Sequence, residues 1–220
     1  MDALVIGASG GIGGALAAAL SARGHGVTPL SRAADGLDVT DEASVAAHLG
    51  RLAGPFDLIV IATGALEIGG IGPEKSLRAL DPAAMAAQFA LNSIGPAIVL
   101  KHALRLVPRD RRAVVVALSA RVGSIGDNAL GGWYSYRASK AALNQLIHTA
   151  AIEIARSHKQ AICVALHPGS VTTRLTTGYS AGHPTVAADQ AAAYLLAVID
   201  GLTPADSGYF FDWEGKRVPW

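Results

Sequence analysis

A single cysteine, Cys163, stands among 220 residues. No internal disulfide can form, and a reducing cytoplasm is the expected compartment. Charge is also sparse: 18 Lys and Arg against 17 Asp and Glu leave a formal net charge of +1. Without a basic patch or stripe, an electrostatic nucleic-acid binder is not expected. The 7 histidines show no metal-ligand spacing, so no metal is expected either. Apolar runs break well short of the ~20 residues that a spanning helix needs, which argues against a membrane partner. The opening MDALVIGASG carries an acid at position 2 and lacks the basic start of a signal peptide. Internal repeats, low-complexity tracts and linkers are absent from the sequence. What is abundant is apolar: 51% of the residues are hydrophobic and 25 are glycine. That is the composition of a packed core rather than a disordered chain, and the length suits one domain spanning residues 1–220.

Short β-like runs alternate with Ala-rich helical stretches. Residues 3–6, 26–30, 58–62, 113–118, 161–166 and 209–212 read as strands, the first five as continuous apolar runs of a sheet covered on both faces. Helices are predicted over 12–22, 42–49, 82–107, 136–157 and 187–200. Asp81-Pro82 has the form of a helix start, Asp as cap and Pro at the first helical position. Gly95-Pro96 is expected to kink the long third helix rather than end it. Strand–helix alternation implies right-handed βαβ units. The fold class is therefore α/β: a single doubly wound, Rossmann-type parallel sheet with helices on both faces.

Between the first strand and first helix lies GASGGIGG, residues 7–14. Gly7, Gly11 and Gly13 are spaced G-x-x-x-G-x-G; Leu16 occupies the last position of the commoner G-x-G-x-x-G. Either spacing lets backbone approach a pyrophosphate and points helix N–H groups at it. A glycine cluster alone is weak evidence, but its place between strand and helix marks a dinucleotide site. The second strand ends in Leu30-Ser31-Arg32. An acid that would bind the ribose 2′-hydroxyl of NAD is missing there, and a hydroxyl and a guanidinium are present to bind a 2′-phosphate. NADP is expected, NAD less so.

Residues 134–140 read YSYRASK. On a helix, Tyr136 and Lys140 share a face and Tyr134 faces Ala138. A phenol with a pKa near ~10 is a poor acid–base at neutral pH, and a nearby ammonium lowers that value. Tyr136 is thus the candidate general acid.

At this point the chain resembles the short-chain dehydrogenase/reductases along its whole length. The resemblance rests on Gly7-Ala-Ser-Gly-Gly-Ile-Gly13, Asp38-Val39-Thr40-Asp41, Asn92 in LNSIG, Tyr136-Arg-Ala-Ser-Lys140 and Pro168-Gly169-Ser-Val-Thr-Thr173. Residues 119–144 and the ending DWEGKRVPW are most similar to the subgroup with the C-factor signalling protein and sniffer-type carbonyl reductases. The resemblance implies roles. Gly7, Ser9, Gly11, Ile12 and Gly13 would hold the pyrophosphate, and Ser31 and Arg32 the adenosine phosphate. Asp38 and Val39 would border the adenine, and Ala62, Thr63 and Gly64 would lie along the cofactor. Tyr136 would be the general acid; Lys140 would bind the nicotinamide ribose and tune it. Asn92 would hold a water that links Lys140 to solvent, unless its side chain simply bonds neighbouring backbone. Pro168 and Gly169 would lead to Val171 and Thr173 at the carboxamide end. The long helices starting near Pro82 and Tyr136 would pair across a two-fold axis in a homodimer or homotetramer.

Three departures stand out. Ile61-Ala62-Thr63-Gly64 replaces the family's Asn-Asn-Ala-Gly, and the helix after the second strand is nearly absent. Most serious, Ala120 occupies the position of the serine that polarises the substrate carbonyl. Ser119 is the expected substitute, with Ser124 second; Asp127 and Asn128 either reach the substrate or are ordinary turn residues. Residues 173–186 are expected as a lid with few charges, suited to a small neutral substrate. Cys163 and His167 are read as packing residues, Trp133 as a wall of the pocket, and Trp213 and Trp220 as packing at the sheet end or a subunit contact. The expected activity is NADPH-dependent reduction of a ketone, aldehyde or quinone. The alternative is a nucleotide-binding signalling protein with dispensable catalysis. A sugar-nucleotide epimerase is rejected because too little chain follows Pro168 for a substrate domain.

Overall fold

The computed structural model describes residues 1–173 and 184–220. The expected lid lies outside the described residues except at its two ends. Among the described residues six strands form one parallel sheet: β1 (Asp2–Ile6), β2 (Gly26–Leu30), β3 (Leu58–Ile61), β4 (Ala113–Leu118), β5 (Ala161–Leu166) and β6 (Phe210–Phe211). Their spatial order is β2-β1-β3-β4-β5-β6. The chain steps from β1 to one edge at β2 and returns past β1 to β3, so a crevice opens beyond the carboxyl ends of β1 and β3. In such sheets this switch point is where ligands bind.

Helices cover both faces: α1 (Gly11–Ala22), the single turn α2 (Arg32–Asp35), α3 (Glu42–Gly50), α4 (Pro82–Phe89), α5 (Gly95–Ala103), α6 (Tyr134–Ser157) and α7 (Ala188–Gly201). On one face Ile6, Val45, Ile59, Val99, Val115 and Leu143 meet in a core under α3, α5 and α6. On the other, Val5, Leu16, Val60, Val116, Leu166 and Leu195 pack under α1 and α7. Each fully buried Leu or Ile contributes roughly 1.5–3 kcal/mol of transfer free energy, so the two half-cores carry the fold. The sequence reading of β2 as buried on both faces is corrected. As the edge strand it is half exposed, and Pro29, which cannot donate to a ladder, is tolerated there.

The long helix expected over 82–107 bends without ending. Asp81 caps α4, its Oδ1 accepting the Ala84 N–H at 2.7 Å. After Phe89 the helix widens into one π-turn, Ala90–Ile94, before α5 resumes. Pro96 has no N–H to give the carbonyl four residues back, and its ring crowds that carbonyl, which accounts for the change of register. The run Pro82–Leu106 is long and apolar enough by composition to cross a membrane, at mean hydropathy 1.5. That departs from the expectation of short apolar runs. Here α5 packs Val99, Leu100 and Ala103 into the core, and α4 lies against α6.

Candidate active site

The glycine turn is held by backbone alone. The N–H groups of Gly7 and Ala8 both donate to the Leu30 carbonyl, at 2.8 and 3.1 Å, tying the turn to the end of β2. Gly7 has φ +93°, and a Cβ there would stand 2.7 Å from the Ala62 carbonyl oxygen. At Gly13 a Cβ would run into the Gly7 carbonyl; at Gly11 it would stand 2.8 Å from Thr173 Cγ2. Glycine is therefore required at Gly7 and Gly13, where the collision is with backbone, while a side chain at Gly11 would displace the Thr173 methyl. Gly10 caps α1 without a side chain, which leaves first-turn amides for a ligand's oxygens. Ser9 is exposed beside it and Ile12 roots α1 in the core. Next to the turn, Thr63 Oγ1 lies buried without a hydrogen-bond partner among the described residues. An orphaned hydroxyl beside an open set of amides fits a phosphate-bearing cofactor.

The adenosine end differs from expectation. Ser31 is buried, and its Oγ accepts the Ala34 N–H at 3.1 Å. Its own N–H donates to Asp35 Oδ2 at 2.7 Å, and its hydroxyl approaches the same oxygen at 3.4 Å. The acid missing from the strand end is thus supplied one turn later. Arg32 is exposed beside it. Asp38 Oδ1 accepts from Thr40 Oγ1 at 2.7 Å and Thr40 N–H at 2.9 Å, and these bonds hold its carboxyl below the ordinary value. Val39 is buried, and a Cβ on Gly95 would be 2.9 Å from its carbonyl oxygen.

Tyr136 and Lys140 project from the first turns of α6, 7% and 3% exposed. Lys140 Nζ lies 5.9 Å from the Tyr136 ring centroid and donates to the Leu118 carbonyl at 3.0 Å. The expected lowering of the phenol pKa is absent here: burial pushes Tyr136 up and pushes Lys140 down to about 8. Desolvation of both groups outweighs their mutual influence at this separation. Gly64, at φ +149°, brings β3 into the pair, since a Cβ there would stand 2.9 Å from Asn92 Oδ1 and 3.2 Å from Lys140 Nζ. Asn92 sits in the π-turn, fully buried. Its Oδ1 accepts the Ala65 N–H at 2.9 Å, and its Nδ2 donates to the Ala65 carbonyl at 2.9 Å and to Gln88 Oε1 at 2.5 Å. The side chain thus braces the backbone at Ala65 and the Gln88 amide. Gln88 escaped the sequence reading, although its place one turn before Asn92 was the available signal.

Both candidate serines have hydrogen-bond partners within the protein. Ser119 Oγ donates to Asn144 Oδ1 at 2.6 Å, so its proton is already engaged by α6. Ser124 Oγ donates to the Pro219 carbonyl at 2.5 Å and accepts the Asp127 N–H at 3.1 Å, anchoring the chain's end. Asp127 pairs with Arg121 at 2.5 Å and Asn128 Oδ1 accepts the Gly131 N–H at 3.0 Å; they are turn residues. Trp133, in the left-handed region at φ 53°, sets its ring edgewise to Tyr136 at 6.3 Å. Gly169, at φ +81°, follows Pro168 in a turn packed on Trp213, and Val171 is buried and bridges to Val186. Trp220 stacks on Phe210 at the sheet end. Burial pushes His167 down to about 4, with Arg121 adding to the effect, so it stays neutral at physiological pH. Among the described residues no group of His, Cys, Asp and Glu could hold a metal ion.

A glycine cradle at the switch point, with a buried tyrosine and lysine one helix face away, is the geometry of a nucleotide-dependent redox site. The short chain dehydrogenase family model matches residues 2–183. This protein is a short-chain dehydrogenase/reductase. Among its relatives, the 1-hydroxy-2-glutathionyl-2-methyl-3-butene dehydrogenase of Rhodococcus sp. (strain AD45) is 32% identical over 99% of this chain and 98% of that protein. C-signal of Myxococcus xanthus is 35% identical over 76% of this chain and 94% of its own. A putative short-chain dehydrogenase/reductase of Burkholderia multivorans, solved with bound NADP, superposes with a TM-score of 0.80. It is 25% identical, and the match covers 100% of this chain and 99% of that one. As a short-chain dehydrogenase/reductase the protein is an oxidoreductase, and its Rossmann-type sheet is the one the family shares.

Proposed function

We propose that this protein is an NADPH-dependent reductase of carbonyl compounds, acting on a small ketone, aldehyde or quinone. The observation that carries the reading is the buried Tyr136–Lys140 pair, brought against the end of β3 by Gly64. When bound, the reduced nicotinamide supplies a hydride to the carbonyl carbon. The chain's own residues do the rest. Amides of the Gly7–Gly13 turn and the Thr63 hydroxyl hold the phosphates and adjoining ribose, and Arg32 faces the adenosine phosphate. Lys140 holds the nicotinamide ribose and places a positive charge near Tyr136. Tyr136 Oη donates its proton to the carbonyl oxygen, so the product is an alcohol and charge balances. With Ala120 carrying no hydroxyl, Tyr136 is the donor to that oxygen. NADP bound to the Burkholderia multivorans relative supports the cofactor choice.

The engagement of Ser119 by Asn144 favours a second reading, a nucleotide-binding signalling protein whose catalysis is dispensable. A panel of carbonyl compounds assayed by NADPH consumption separates the two. Tyr136→Phe should lower turnover by ~10²–10⁴-fold while leaving cofactor affinity intact. Full activity in that variant would sink the proton-donor role, and inactivity of the unmodified protein across the panel would favour signalling. The reading includes a homodimer. Ile94, Leu146 and Ile152 on the long helices are 53%, 39% and 54% exposed, which is apolar surface that a two-fold pairing would cover. Sedimentation at micromolar concentration showing only a 22.4 kDa species would count against it.

A further inference from the structure

The helix that carries Tyr136 has no cap of its own. Trp133, at its N-cap, offers no side-chain oxygen, and the first N–H groups of any α-helix lack partners within the helix. The missing acceptor comes from the loop after β3, 61 residues earlier in the chain. Glu74 Oε2 accepts the Ser135 N–H at 3.1 Å, Glu74 Oε1 accepts the Ser135 hydroxyl, and the Glu74 carbonyl accepts the Trp133 N–H at 2.6 Å. Glu74 is 8% and Ser135 1% exposed. A carboxylate buried this far persists only where hydrogen bonds offset its desolvation, and the positive end of a helix adds to them. The same loop is fastened at its other end: Gln88 Nε2 donates to the Leu66 carbonyl at 2.9 Å, and Ala65 is held from both sides by Asn92. One strap therefore joins the π-turn beside Lys140 to the residue preceding Tyr136.

We infer that Glu74 is a positioning residue, which pins the first turn of α6 so that the Tyr136 phenol meets the substrate oxygen. This rests on the assignment of Tyr136 as proton donor. A proton donor must be held within hydrogen-bond reach of its acceptor, and a displacement of ~1 Å can cost about a hundredfold in rate. Most of the proposed cofactor contacts lie off α6, chiefly on the glycine turn, and Lys140 sits one turn beyond Tyr136, so a loosened first turn lowers turnover with little effect on NADPH affinity. Glutamine of the same shape can still accept the Ser135 N–H through its oxygen and donate to the Ser135 hydroxyl through its amide. It should therefore preserve the anchor where alanine does not.

The test compares Glu74→Ala, Glu74→Gln and Ser135→Ala. Turnover is measured per NADPH-binding site, and amide hydrogen exchange over residues 133–140 is followed in the cofactor-free protein. Glu74→Ala should lower kcat about ten- to a hundredfold with the NADPH dissociation constant within about threefold. Exchange at Ser135 should speed up roughly three- to thirtyfold, as for a lost helix cap. Glu74→Gln should stay within about threefold of the unmodified protein on every measure. Should Glu74→Ala fail to fold, Ser135→Ala removes the hydroxyl arm alone and should lower kcat roughly three- to tenfold. Unchanged exchange and turnover in the alanine variants would overturn the assignment, as would equal losses in Glu74→Ala and Glu74→Gln. If the unmodified protein reduces no carbonyl, the reductase reading fails on that result, and the exchange data decide the role of Glu74.

Discussion

Lys140 offers a test of the buried pair that needs no substrate. Burial lowers its pKa from the ordinary 10.5 to about 8. Between those two values the unfolded chain holds a proton that the folded protein has released. Stability must therefore rise with pH across the window from about 8 to 10.5. Below pH 8 both states are protonated, and the fold carries the full cost of a buried ammonium, on the order of 3 kcal/mol. Two other groups act in the opposite direction. Burial raises Tyr136, and raises Cys163 from 9.0 to about 12, so each ionises first in the unfolded chain and lowers stability above its ordinary pKa. Comparison with Lys140→Met isolates the lysine, since the other two groups are common to both proteins. Urea denaturation of the cofactor-free proteins from pH 7 to 9.5 should show the stability difference shifting toward the unmodified protein by about 2 kcal/mol over that range. Parallel stability curves would refute the burial of a titrating lysine, and a difference that shifts the other way would reverse its sign. A pKa near 8 also bears on function: at neutral pH the ammonium form still prevails, as the proposed roles of Lys140 in holding a ribose and favouring proton transfer by Tyr136 require.

At the adenosine end, Arg32→Ala should weaken NADPH binding roughly ten- to a hundredfold with little effect on NADH. Asp35→Ala should do the reverse, because it frees the Ser31 N–H and removes a carboxylate from beside the proposed phosphate site; NADPH affinity relative to NADH should rise about tenfold. Fluorescence titration with both cofactors measures each ratio, and an unchanged ratio in either variant defeats its half of the argument. Ser119→Ala should cost about 1 kcal/mol of stability through the lost bond to Asn144, with turnover within about threefold of normal. A hundredfold loss of turnover would instead return the carbonyl-polarising role to Ser119.

Local pattern was enough for the parts of this protein that local physics controls. Continuous runs such as Ala113–Leu118 and Ala161–Leu166 announce buried parallel strands because a sheet covered on both faces has no polar side. Gly7, Gly11 and Gly13 announce the cradle because backbone must pass where a Cβ would collide. Tyr136 and Lys140 announce themselves through the helical repeat. What a side chain bonds to across the fold is another matter, since such partners lie far apart in the chain. That Ser119 faces Asn144, that Asn92 braces Ala65 and that Glu74 caps the helix of Tyr136 depend on elements 25, 27 and 61 residues away. The acid beside Ser31 lay only four residues off, yet it comes into place because a single turn, α2, folds Asp35 back onto the strand end. The pKa of Lys140 likewise follows from the desolvation that tertiary packing imposes, which no spacing of residues records.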